Sequence, residues 1–248
     1  MVKASMRIAF QKTQPLRDYT NLPFEIFVLA LTVLPFFVLA YFYPALPERV
    51  PVFMKLNGEV ETWAGKSVLS VFRVPLMAVV TQAVCLLMKY GTAQSKAVAP
   101  LGLDAARAEL RRQYLSLNAS LWDWLRLSVA FKMSAESLDE IFLSLEQFKF
   151  LSRPTFIITA FAALVGVGGA LFYGYRLLVV GREMKEKAGD AKALESLDAR
   201  RVYGGVLYFN PHDPALFAGR HVFNMANKWA WAFIACIIAY PLLVFLPG

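Results

Sequence analysis

Residues 229–246 run for eighteen positions without a single charge, and three other stretches of the chain come close to matching them. A helix crossing the roughly 30 Å hydrocarbon layer needs about 20 mostly apolar residues, and it must close its own backbone hydrogen bonds because lipid offers no partners. Residues 24–43 carry one acid, Glu25, at their edge; residues 155–180 have no charge before Arg176; residues 68–90 hold only Arg73 and Lys89, each placed to snorkel toward an interface. Composition agrees, with 58% hydrophobic and 18% charged residues over 248 positions, against roughly 45–50% and about 25% in soluble domains. The expected fold class is an all-α integral membrane protein.

A fifth crossing is expected at 114–133 (YLSLNASLWDWLRLSVAFKM), although it puts Asp123 and Arg126 mid-span, where each ion costs about 2.5–3.5 kcal/mol. Three residues apart on a helix, the two neutralise each other on one face. Basic residues decide for the crossing. With the amino terminus inside and spans at 24–43, 68–90, 114–133, 154–180 and 229–247, and with Lys89, Lys132 and Arg176 at span ends counted on the side they flank, eighteen Lys and Arg fall on the cytoplasmic side and six outside. Without the third span, nine of the eighteen would face outward, against the positive-inside bias. The cytoplasmic segments are then 1–23, 91–113 and 181–228, and a bacterial inner membrane is the expected location. The net charge of +8 is accounted for by anionic lipid heads at these flanks, so the bilayer is the expected partner and nucleic acid is not.

The connector 44–67 combines Pro44, Pro47 and Pro51, which favour extended backbone, with the turn signal Asn57-Gly58 and a bend at Gly65. A small periplasmic, hairpin-like cap follows. In 134–153, Leu138, Ile141, Phe142, Leu145 and Phe148 share one helical face, with Asp139, Glu140 and Glu146 opposite and capping-box spacing from Ser137 to Glu140. That pattern predicts an amphipathic helix lying at the outer interface. In the fourth span Ala162, Gly166, Ala170 and Gly174 recur every fourth residue, with Gly168 and Gly169 beside them. Such a ridge lets another helix backbone approach closely, one of the same chain in preference to one of another chain. Residues 182–201 read as a charged, solvated linker, and 203–228 as an aromatic, Pro-anchored block folding back on the bundle's cytoplasmic mouth.

Motifs that carry chemistry are missing from the sequence. The two histidines, His212 and His221, lack zinc-ligand spacing; Cys85 and Cys236 fall within spans; GxSxG, Walker, GxGxxG, HExxH and CxxCH patterns do not occur. No enzyme activity, cofactor or metal is expected. The one intramembrane candidate is Asp123 with Arg126, flanked by Trp122 and Trp124 and with Glu25, Thr81 and Gln82 as further polar lining. It reads either as a functional ion site or as a pair that fixes helix register. A proton relay needs further acids in line, and the sequence offers none beside Asp123.

Two motifs together resemble the SdpI-like family of bacterial inner-membrane proteins, whose signature domain has no assigned function. The first is Leu46-Pro47-x-x-Val50-Pro51 followed by Asn57-Gly58, Trp63 and Gly65-Lys66. The second is Tyr208-Phe209-Asn210-Pro211-x-Asp213-Pro214-x-Leu216-Phe217, with Asn227 downstream. The resemblance implies polytopic proteins best known for immunity to a secreted killing peptide and for relaying its presence to a repressor. Where family members usually carry a histidine this chain has Phe53-Met54, an apolar pair suited to packing.

The expected function is therefore non-enzymatic binding and scaffolding, as an accessory subunit among other integral membrane proteins. Its surfaces would be the hairpin with Phe53, Met54 and Trp63, the small-residue ridge, and the Asn210–Pro214 block. Immunity and signal relay is the alternative, and a small-solute or proton transporter centred on Asp123 and Arg126 a third.

Overall fold

The computed structural model describes residues 20–54, 60–94, 105–188, 202–203, 207–209 and 223–245. The helices are α1 (Leu22–Phe42), α2 (Val68–Gln94), α3 (Ala105–Ser144), α4 (Ser152–Ala188) and α5 (Lys228–Phe245). Strands β1 (Arg49–Met54) and β2 (Val60–Gly65) form an antiparallel hairpin between α1 and α2, entered through a 3-10 turn at Tyr43–Ala45. A second 3-10 turn, Glu146–Leu151, joins α3 to α4. Two-residue strands β3 (Val202–Tyr203), β4 (Leu207–Tyr208) and β5 (Phe223–Asn224) make a small sheet before α5. The chain is all-α in character, and among the described residues three segments are long and apolar enough to cross a membrane: Leu22–Ala45, Val68–Gly91 and Glu146–Glu183. A shorter apolar stretch, Lys228–Leu243, lies in the last helix.

Helix α3 is the centre of the bundle. It packs along α4 on one flank and against α2 and α1 on the other, while α5 rests on α2. Its 40 residues extend about 60 Å. The expected third span and the expected interfacial helix are therefore parts of one rod, which corrects the separate helix read at 134–153. The physical reason is the absence of any Gly or Pro between 105 and 144, so nothing interrupts the backbone ladder. Ser137, expected to cap a new helix, instead donates its hydroxyl back to the Met133 carbonyl at 2.7 Å. The helix ends only at Ser144, where Phe148 of the following turn packs on Phe42 with ring centroids 5.6 Å apart.

The apolar face of that segment meets protein. Ile141 is buried with Leu39, Leu46, Val50 and Val71, which seats the hairpin on the ends of α1, α2 and α3. Elsewhere large apolar side chains face outward, among them Ile26, Leu29, Leu34 and Phe37 on α1 and Ile157, Phe161, Leu164 and Leu171 on α4. In water such a surface would be a liability; around a bundle in lipid it is the ordinary exterior.

Candidate functional site

At the end of the bundle where α1 begins, four ions from three helices meet. Glu25 lies in the first turn of α1, whose N-cap residue Asn21 accepts a bond from the Phe24 amide at 3.3 Å. Lys89, from the last third of α2, donates to Asp123 Oδ1 and Oδ2 at 2.7 and 2.9 Å and to Glu25 Oε1 at 3.3 Å. Arg126 reaches Glu25 Oε2 at 2.7 Å and Oε1 at 3.0 Å. Its Nε donates to Gln82 Oε1 at 3.0 Å, while Gln82 Nε2 donates to the Arg126 carbonyl at 2.8 Å. Two acids and two bases make the cluster neutral. Lys89 and Arg126 are 2% and 3% exposed, and the ammonium donates toward three carboxylate oxygens, so its proton-donor capacity is filled.

The sequence pair Asp123 and Arg126 is thus brought together, but its direct contact, 3.4 Å, is the longest in the cluster. Lys89 and Glu25 are the stronger partners. The sequence marks Glu25 as polar lining of this pair but reads Lys89 as an ion that snorkels to an interface, because spacing along one helix does not show an ion that approaches from another. Such a group braces α1, α2 and α3 against one another, since an ion whose partner is withdrawn is left buried and unpaired. The hydroxyls farther along the bundle, Thr32, Ser134 and Ser137, donate to the Val28, Leu31 and Met133 carbonyls rather than to one another.

At the other end the hairpin is held from three sides. Val50 is buried in the core and Pro51 pairs with Trp63 across the strands. The register slips after Pro51, leaving Val52 without a cross-strand partner, and its carbonyl accepts from the Arg73 guanidinium at 2.6 Å. Lys66 Nζ donates to the Leu46 carbonyl at 2.9 Å and to Pro44 at 3.5 Å, lying 4.9 Å from the centre of the Tyr43 ring. Lys66 is therefore a latch within the hairpin's base. Pro47 is exposed, as is Trp63, at 49%. Phe53 and Met54 belong to β1, while Asn57 and Gly58 lie outside the described residues.

Two carboxylate oxygens beneath this end lack partners among the described residues. Asp139 and Glu140, expected on a solvated face, are each 4% exposed, and Asp139 Oδ1 and Glu140 Oε1 have no hydrogen bond. Both lie beyond the expected span, level with the hairpin through neighbouring Ile141. Burial pushes the Glu140 carboxyl up to about 9 despite Arg73 nearby, and burial with Glu136 beside it takes Asp139 to about 7.

The small-residue ridge of α4 faces α3 of the same chain in part. A side chain at Gly166 would come within 2.9 Å of Ser128 Cβ, whereas nothing lies within 4 Å of one at Gly174. Ala162 and Ala170 are half-buried. The tightest approach is one residue off the ridge, at Gly169, where an added Cβ would sit 1.6 Å from Trp124 Nε1. That indole donates to the Val165 carbonyl at 2.9 Å. In the sequence Trp124 stands out only as a neighbour of Asp123, and the Gly168-Gly169 doublet is the signal for its seat.

Tyr208 lies in β4, while Asn210, Pro211, Asp213, Pro214 and Phe217 fall outside the described residues. Among the described residues no group of three or more His, Cys, Asp and Glu is arranged to hold a metal ion. No curated protein and no solved structure matches the chain. Residues 30–79, which take in the second half of α1, the hairpin and the first half of α2, match a family described as a domain of unknown function, DUF1648.

Proposed function

We propose that this chain is a non-enzymatic, multi-pass protein of a bacterial inner membrane, with five crossings and a cytoplasmic amino terminus, that binds and stabilises other integral subunits of a larger complex. The observation that carries this reading is α4. Its 37 residues lean on α3 along one flank and leave Phe161, Leu164, Leu171, Phe172 and Tyr175 exposed. Gly168 and Gly174 lie open beside them, where a neighbouring helix backbone can approach. The docked hairpin, presenting Trp63, adds a second surface of the aromatic kind that anchors protein contacts. The neutral ion cluster supports the same reading, because a site whose charges cancel and whose lysine donors are occupied suits a brace better than a carrier, and a transporter ranks below. Purification of a tagged chain in mild detergent, followed by mass spectrometry, tests it. Stoichiometric membrane polypeptides of other sequence are expected, and a chain that runs alone refutes the subunit reading.

A second reading is SdpI-like immunity and signal relay. It draws on the DUF1648 match, which covers the loop carrying Pro47, Pro51, Trp63 and Lys66, and on the similar block from Tyr208 to Phe217. Deleting the gene would sensitise cells to a peptide made nearby; unchanged survival across candidate peptides counts against it.

A further inference from the structure

Lys132 and Glu136 pair one turn apart on α3, Nζ to Oε1 at 2.5 Å, with side chains 40% and 26% exposed. Their depth follows from their neighbours. Ser134, between them, donates to the Leu31 carbonyl at 2.6 Å, and Phe131 meets Phe27 with ring centroids 6.2 Å apart. Leu31 is near the middle of α1, about 16 Å of helix short of Phe42, farther than a lysine side chain reaches. On the other flank a groove of about 200 Å³, almost wholly apolar, runs between Ser128, Val129 and Lys132 of α3 and Gly166, Val167 and Ala170 of α4. Both flanking helices, α1 and α4, are long and apolar enough to cross a membrane. The ion pair therefore faces outward within the hydrocarbon layer, beside an open groove.

An ammonium carries three N–H donors, and among the described residues Lys132 fills one of them, on Glu136. Lipid tails supply no acceptor for the others. A partner helix bringing a single acid would satisfy the lysine but leave an enclosed group with net charge −1, which the low dielectric penalises. A second copy brings one cation and one anion together, at the same two heights. Because i and i+4 are about 6 Å apart along the axis, Lys132 of each copy can reach Glu136 of the other while both intrahelical pairs persist. The enclosed group stays neutral and every ion gains a partner.

We propose that the α3–α4 groove is the contact between two copies of this chain, related by a two-fold axis along the membrane normal and joined by a four-ion box of Lys132 and Glu136. The contact stands apart from the subunit reading: a pure homodimer in detergent refutes that reading and leaves this one intact.

The test is oxidative cross-linking in native membranes, using the full chain with Cys85 and Cys236 replaced by Ala and Val129→Cys introduced. A disulfide-linked species of twice the chain mass is expected. Lys132→Glu or Glu136→Lys alone lowers its yield at least about tenfold, the ratio that roughly 1.4 kcal/mol produces. Co-expressing the two single variants under different tags restores a link between them, and the double exchange Lys132→Glu with Glu136→Lys links as the parent does. A pair that serves only its own helix gives no rescue between copies. Absence of the dimer in the parent, an adduct of foreign mass in its place, or failure of the co-expressed variants to link overturns the proposal.

Discussion

Replacing Lys89 with Met removes the ammonium that donates to Asp123 at 2.7 and 2.9 Å and to Glu25 at 3.3 Å, and leaves two carboxylates against Arg126 alone. Methionine keeps the length and apolar stem, so the perturbation is one of charge. Withdrawing one partner from a buried ion pair costs about 3–5 kcal/mol. Neutralising a carboxylate instead, from an ordinary value near 4 at pH 7, costs about 4 kcal/mol, which sets a ceiling. Glu25 and Asp123 side chains are 19% and 22% exposed, so solvation recovers a little and the expected loss is about 3 kcal/mol. Lys89→Met with Asp123→Asn restores neutrality and keeps the Glu25–Arg126 bond of 2.7 Å, so about 1–2 kcal/mol of that loss returns. Unfolding of purified protein by detergent titration in mixed micelles, followed through the fluorescence of Trp122 and Trp124, measures both. A Lys89→Met protein within about 0.5 kcal/mol of the parent, or a double variant no more stable than the single, would refute the brace.

Three further outcomes follow from the packing. Gly169→Ala must drive the Trp124 indole from its seat on α4, costing about 1–3 kcal/mol of overpacking and shifting tryptophan emission, whereas Gly174→Ala, with open space around it, leaves the melting temperature unchanged. Lys66→Met loses bonds to two carbonyls at the hairpin's base and destabilises it by about 1–2 kcal/mol, seen as faster amide exchange across β1 and β2. Glu140 holds its proton to about 9 in the folded chain against an ordinary 4.5, so its neutral form favours the fold. That stability is complete below about 4 and is lost as the pH rises toward 9. Glu140→Gln flattens the decline of thermal stability over that range, and a curve as steep as the parent's speaks against the assignment.

The apolar runs, the hairpin and a close helix neighbour for α4 were legible because each rests on a local pattern: uninterrupted hydrophobic stretches, prolines around an Asn-Gly turn, and small residues at helical spacing; that the neighbour is α3 was not. What was not legible depends on contacts between helices. Arg73 and Lys89 read as ions that escape to an interface; folded, one takes the bulge carbonyl of Val52 and the other sits between two carboxylates. Ser137 and Glu140 have the spacing of a helix start, yet the uninterrupted helix-forming sequence around them prevails and Ser137 bonds backward to Met133. The acids of that segment read as a wet face because amphipathic spacing shows only which residues share a side, not which neighbour covers it. The hairpin covers one end of α3 through Val50 and Ile141, and its docking turns an expected surface helix into part of the core.

The five proposed crossings require that α3 traverse the membrane despite its charges, with Glu25 of α1 and Lys89 of α2 neutralising them. Cysteine scanning with a membrane-impermeant maleimide, in intact and permeabilised cells and on a chain lacking Cys85 and Cys236, tests it most directly. Trp63→Cys and Arg112→Cys, both exposed on the folded chain, should label from opposite sides of the membrane, and Phe131→Cys, at the outward-facing middle of the bundle, from neither. Labelling of Trp63→Cys and Arg112→Cys from the same side, or ready labelling of Phe131→Cys in intact cells, would show that α3 does not cross.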